Sequence, residues 1–168
     1  EAQRIFRPNK HGMDFVALET IRESQKRNDG NQYYVIVAPG EDRCLENSAN
    51  LSIIEVKYPT YPLWEQIGLP QAIKRLGVDL LHCTSNTAPL WCPVPLVLTL
   101  HDIIYLEPRQ HRSPSLYQEM GWFYRRLVVP HIIKKCKKII TVSHFECNCI
   151  QQALKIPVDQ ITTVYNGY

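Results

Sequence analysis

Alternating apolar strands and amphipathic helices predict an α/β protein built on a doubly wound, mainly parallel sheet. Three observations carry that reading. Six short runs rich in apolar and β-branched residues occur at 33–38, 52–56, 80–83, 96–100, 138–142 and 161–164. Several of them are continuous rather than alternating, as strands covered on both faces are. The length of 168 residues and the 45% hydrophobic composition suit one domain over 1–168, large enough to bury most of the surface its unfolded chain exposes.

The helices follow from periodicity and punctuation. Residues 14–28 carry Phe15, Leu18 and Ile21 as one apolar stripe and stop before Gly30-Asn31. Residues 63–76 read as a second helix, kinked or restarted at Pro70, which has no N–H to donate, and closed by Gly77. A third runs over 115–135 with Pro130 inside it, which predicts a bend. Ser143-His144-Phe145-Glu146 then follows a strand directly and matches a capping box, in which the serine hydroxyl and the glutamate carboxylate each satisfy a free N–H. The helix it opens reaches about Lys155.

Charge and cysteines narrow the class. The formal charge is +3, and basic residues cluster only at Arg125-Arg126 and at Lys134, Lys135, Lys137 and Lys138. That bias is too weak to argue for nucleic acid. The cluster reads either as a solvated helix face or as peripheral contact with an anionic membrane. No run approaches the length of a membrane span, and no signal segment opens the sequence. There are six cysteines and a sequon, Asn50-Leu51-Ser52, but no Cys-x-x-Cys. Cys83 at a strand end, Cys136 in a helix, and Cys147 with Cys149 on one helical turn read as free apolar fillers in a reducing, cytoplasmic compartment. A start at Glu1 and a stop just after Asn166-Gly167 lead us to expect further chain beyond both ends.

The common nucleotide fingerprints are missing. Glycines at 12, 30, 40, 68, 77, 121 and 167 are too far apart for G-x-G-x-x-G, and no Gly-Lys-Ser or Gly-Lys-Thr is present. Gly12, in the loop Arg7-Pro8-Asn9-Lys10-His11-Gly12 before the first helix, either admits a phosphate to the helix N-terminus or is an ordinary loop glycine.

The run Pro95-Leu-Val-Leu-Thr99-Leu-His101-Asp102 places an imidazole and a carboxylate at the end of an apolar strand, the end where open α/β sheets bind ligands. His101 suits donation to a sugar hydroxyl or stabilisation of developing charge, and Asp102 either orients it or caps the following loop. Both the site and the purely structural reading remain open at this point. His82 ends a neighbouring strand, so a hydrolase metal at His82 and His101 is a third, weaker reading with no familiar ligand spacing. Ser143 lacks the Gly-x-Ser-x-Gly elbow of a nucleophile and reads as a cap, whose turn also suits an anion.

Taken in order, Asp79-Leu-Leu-His82, Pro93 to Tyr105 with His101-Asp102, Lys138-Ile-Ile-Thr-Val-Ser143-His-Phe, and Thr163-Val-Tyr165-Asn166-Gly167 resemble the N-terminal half of a family-4 (group 1) retaining glycosyltransferase. The resemblance implies a Rossmann-like domain, one half of a GT-B two-domain architecture, with the C-terminal nucleotide-sugar domain absent from this chain. It implies catalysis with retention, His101 meeting the transferred sugar, and Gly12 and Ser143 on the donor-diphosphate side. It also implies an acceptor cleft at His82, Thr84, Asn86, Thr87 and Asp102, and an interdomain linker that begins at Asn166 and Gly167. Its partners would be a nucleotide-sugar and a glycan or lipid-linked acceptor of bacterial surface-polysaccharide or glycolipid assembly, with no metal and no cofactor held by this chain. The loop has one glycine where some members have two, and Glu1-Ala2-Gln3 stands where Asp-Ala-Arg is frequent. The alternative from another class is a non-catalytic small-molecule binding module of the same fold.

Overall fold

The computed structural model describes residues 1–107 and 116–167, with the side chains of 116–118 left aside. The chain forms two compact units, Glu1–Val78 and Asp79–Tyr168. Each is an α/β unit with a parallel sheet, and in both sheets neighbours in space are neighbours in sequence.

In the first unit, β1 (Tyr33–Val37) pairs in parallel with β2 (Leu51–Glu55), from Tyr33 opposite Leu51 to Val37 opposite Glu55. The Ala2 N–H donates to Ile36 O, and the Ala38 N–H donates to Gln3 O, both at 3.0 Å, so the first residues run beside the end of β1. The core joins Ile5, Phe6, Ala17, Leu18, Val35, Val37 and Leu51. Gly40 is demanded by close packing, since a Cβ there would lie 2.1 Å from Phe6 O.

Helix α1 (Gly12–Gln25) corrects the expected stripe: Leu18 is buried, but Phe15 is 53% exposed. The inward position of the first turn belongs to Asp14, one residue and about 100° away. Its carboxylate accepts the His11 N–H at 2.8 Å and lies 3.3 Å from Arg4 Nε. A capping and charge-pairing demand therefore outranks the burial of an aromatic ring.

The restart expected near Pro70 takes a definite form. Helix α2 (Tyr61–Leu63) passes through a π-helical turn (Trp64–Gly68) into α3 (Leu69–Leu76). The Leu69 N–H reaches back to Trp64 O, and Pro70, which donates nothing, follows the widened turn. Gly77 closes α3 in the left-handed region at φ 64°, its N–H on Ile73 O at 3.1 Å.

In the second unit, β3 (Leu81–Cys83), β4 (Leu96–Thr99), β5 (Cys136–Thr141) and β6 (Ile161–Thr163) form one parallel sheet in that order. Leu81 faces Leu96, Leu98 faces Ile139, and Ile139 faces Ile161, so the runs read as continuous apolar strands do form its core. Helix α4 (Leu116–Ile133) contributes buried Val128, Val129, Ile132 and Ile133, and α5 (His144–Leu154) contributes Ile150. Helix α4 continues through Pro130. Its expected start at Ser115 lies outside the described residues, as does Tyr168.

Cys136 is not helical as expected. It opens β5 opposite Leu96, because the chain turns at Lys134-Lys135. The basic run is therefore not one helix face: Lys134 and Lys135 lie in the turn, and Lys137 and Lys138 lie on the strand. All six cysteines are free thiols, and Cys83 and Cys136 are fully buried. Burial, with Cys92 nearby, pushes the Cys136 thiol up to about 12. Among the described residues, no helix is long and apolar enough to cross a membrane.

Candidate functional site

The carboxyl ends of β3 and β4 carry the densest polar packing of the second unit. After Cys83 the chain crosses to β4 through residues 84–95 without a helix, and this connection buries Thr84, Asn86 and Thr87. A polar loop is buried only where its groups find partners. Asn86 supplies several of them.

Asn86 sits in the left-handed region at φ 65°, which asparagine tolerates better than most side chains. Its N–H donates to Thr99 O at 3.2 Å, and its Oδ1 accepts the His101 N–H at 2.6 Å. Its Nδ2 faces Asp102 Oδ2 at 3.5 Å. One residue thus ties the β3 loop to three positions, Thr99, His101 and Asp102, around the end of β4.

The imidazole of His101 is oriented by the same loop. Nε2 lies 3.0 Å from the Thr84 carbonyl oxygen, which only accepts, so Nε2 carries the proton and donates. Partial burial lowers the pKa of His101, against smaller raising effects from the Thr84 carbonyl and the Asp102 charge. The ring is therefore neutral near pH 7, and Nδ1 is a bare acceptor with no partner among the described residues. With Nε2 on Thr84 O, the ring nitrogen left for a further partner is Nδ1, which accepts.

Asp102 turns to the chain that follows it. Its Oδ1 accepts the Ile104 N–H at 3.3 Å, where the 3₁₀ turn Ile104–Leu106 begins, and it makes no hydrogen bond to the His101 ring. It acts on the histidine by charge alone. His82 lies in β3, with Nε2 2.8 Å from Thr99 Oγ1. Desolvation brings its pKa down to about 4, so it is a neutral, packed histidine beneath the loop. Among the described residues, no group of three or more His, Cys, Asp and Glu is arranged to hold a metal ion.

Ser143 is the N-cap of α5, its Oγ accepting the Glu146 N–H at 3.1 Å. The other half of the expected capping box is not made: the Glu146 carboxylate forms no bond to the Ser143 N–H. It lies instead in the field of Asp102 and Glu107, and burial, with those charges adding to it, raises its pKa. Tyr105, also missed in the sequence, buries its hydroxyl without a partner, and burial together with Asp102 makes that phenol a weaker acid. The Thr141 hydroxyl is likewise buried and unpartnered. No spacing in the sequence announces either group.

Gly12 is the exposed first residue of α1 in the first unit, and a Cβ on it would meet nothing within 4 Å. Asn166 and Gly167 are exposed beyond β6, just after Tyr165, whose ring meets His144 edge-on at 5.5 Å.

The family model described as Glycosyltransferase Family 4 matches residues 11–168. No curated protein matches the sequence. The matched span holds Gly12, the β3–β4 loop, His101, Ser143 and Asn166, and leaves out only the ten residues before the α1 cap. With nearly its whole length matched, and with parallel-sheet α/β architecture in both units, the chain belongs to glycosyltransferase family 4.

Proposed function

We propose that this chain is the acceptor-side domain of a retaining GT-B glycosyltransferase. A family-4 domain acts on nucleotide-sugar and acceptor substrates in general. In this reading the acceptor is a glycan or lipid-linked sugar bound at the carboxyl ends of β3 and β4, and the donor is held by a domain following Tyr168. The single observation that carries it is the orientation of His101: Nε2 is spent on Thr84 O, leaving a neutral Nδ1 beside a buried polar loop. Such a nitrogen accepts a hydrogen bond from a sugar hydroxyl and fixes the sugar without holding a proton. Gly12 and the Ser143 turn would approach the donor phosphates through backbone N–H groups at helix starts. The leaving phosphate itself would take the acceptor's proton, with the configuration retained.

The test is transfer with a panel of nucleotide-sugars, run on this chain and on the protein extended through the donor domain. The extended protein turns over and this chain does not. His101→Ala in the extended protein lowers kcat by about two orders of magnitude or more, as loss of a transition-state contact does. Turnover by this chain alone, or an active His101→Ala protein, overturns the reading.

A further inference from the structure

Folding of the second unit brings two cysteines from distant parts of the sequence to the start of its sheet. Cys136 opens β5, and its Cα pairs in register with Leu96 at the start of β4. Cys92 stands four residues before Leu96, near the end of the connection from β3. Its sulfur accepts the Val94 N–H, which turns the thiol toward the strand start. Lys135, just before Cys136, donates from Nζ to Leu90 O at 2.5 Å. The chain next to each cysteine is thus in contact with the chain next to the other. Both are free thiols, and a charge on Cys92 is felt at Cys136.

The two backbones are also held. Gln160 Nε2 donates to Cys136 O at 2.8 Å, and Pro93 and Pro95 restrict the chain that leads from Cys92 into β4. The other cysteines are placed differently. Cys44 belongs to the first unit, and Cys83 lies further along β3, opposite Leu98. Cys147 and Cys149 stand two residues apart on α5, about 200° around the helix from one another.

We infer that Cys92 and Cys136 form a redox-modification site, closed to a disulfide by a small disulfide oxidant of the glutathione type. The Cys92 thiolate attacks one sulfur of oxidised glutathione, so a mixed disulfide forms and one glutathione leaves. The Cys136 thiolate then displaces the second glutathione, and the two protons lost by the cysteines end on the two reduced glutathiones. Half-exposed Cys92 meets the oxidant first, while buried Cys136 completes the bond from within. Burial raises both thiols, so little thiolate is present and closure is slow. The same lack of thiolate stabilisation in the reduced form makes the bond hard to reduce. Once made, it closes a loop of about 45 residues that contains α4, which restricts the unfolded chain. It also fixes the far end of the connection whose near end, Thr84 and Asn86, holds His101. The inference goes beyond the acceptor reading and needs neither donor nor acceptor.

The experiment incubates this chain with excess oxidised glutathione at mildly alkaline pH, then counts free thiols in urea and maps the peptides. The wild type falls from six thiols to four, retains no glutathione and yields one peptide that joins Cys92 to Cys136. Its urea midpoint rises, and dithiothreitol returns both thiols and midpoint. Cys92→Ser, a change at a half-exposed position that leaves the circular dichroism unaltered, forms no internal bond, and Cys136→Ala forms none either. The Cys147→Ser, Cys149→Ser double variant still loses two thiols. His101→Ala oxidises as the wild type does, which separates this result from the outcome of the transfer assay. Four results overturn the inference: six thiols that persist under oxidant, a bond between any other pair, loss of two thiols by Cys92→Ser, or an oxidised protein whose midpoint is unchanged or lower.

Discussion

The side-chain oxygen of Asn86 accepts the backbone N–H of His101 at 2.6 Å while Asn86 itself sits at φ 65°. This relationship sets the direction in which the chain leaves β4, and hence where the imidazole can go. Asn86 positions the chain here: its side chain holds the backbone of His101 and faces the Asp102 carboxylate.

That role separates two substitutions. Asn86→Gly keeps the left-handed backbone but leaves the His101 N–H without its acceptor, a loss of about 1–3 kcal/mol. Asn86→Ala loses the same bond and adds about 1–2 kcal/mol of left-handed strain. Urea unfolding is expected to rank wild type above Asn86→Gly and Asn86→Gly above Asn86→Ala. Equal midpoints for wild type and Asn86→Gly would remove the clamp from the account.

His82 predicts an acid sensitivity with a definite sign. Its folded pKa is about 4, below the ordinary 6.5, so between those values the unfolded chain binds the proton and the folded chain does not. Its contribution is fully present above pH 6.5 and is lost as pH falls to about 4, an effect of about 3 kcal/mol. His82→Gln should flatten the pH dependence of the urea midpoint over that window. An unchanged slope would show that another group carries it.

Two glycines are expected to behave oppositely. Gly12→Ala adds a Cβ in open space on the first turn of a helix, so stability is unchanged or rises by up to about 1 kcal/mol. If donor phosphates approach that N-terminus, the same change lowers turnover of the extended protein. Gly40→Ala drives a Cβ to 2.1 Å from the Phe6 carbonyl and costs at least about 2 kcal/mol. Thermal unfolding of the pair checks both.

Ser143→Ala removes the hydroxyl that accepts the Glu146 N–H and should cost about 1 kcal/mol. Ser143→Asp keeps an acceptor at the cap but adds a charge near Glu146, Asp102 and Glu107, which already interact unfavourably. It is expected to recover less than the usual cap replacement, and to recover more at acid pH, where Glu146 is protonated. Denaturant midpoints at two pH values distinguish cap loss from repulsion.

Much of the fold was legible because its signals are local. Short apolar and β-branched runs, several of them continuous, marked the six strands among the described residues within two residues of their bounds, Gly77 marked a helix end, and Ser143 marked a helix start. Phe15, Cys136 and Glu146 were misplaced where a second demand outranked the local pattern. Asp14 took the inward place beside Phe15, a turn at Lys134-Lys135 released Cys136 into a strand, and the Glu146 carboxylate did not close the capping box on Ser143.

The same division runs through the site. The amino-acid sequence by itself determined that a histidine and a carboxylate stand at the end of an apolar strand, since strand period and composition are properties of neighbouring residues. Only the tertiary structure decided what each can do. The proton on His101 Nε2 is set by Thr84, seventeen positions away, and the exit from β4 is set by Asn86, fifteen positions away. Asp102 is committed to the Ile104 N–H and not to the ring. Tautomer, burial and hydrogen-bond partner depend on chain segments brought together by folding, so no local spacing encodes them.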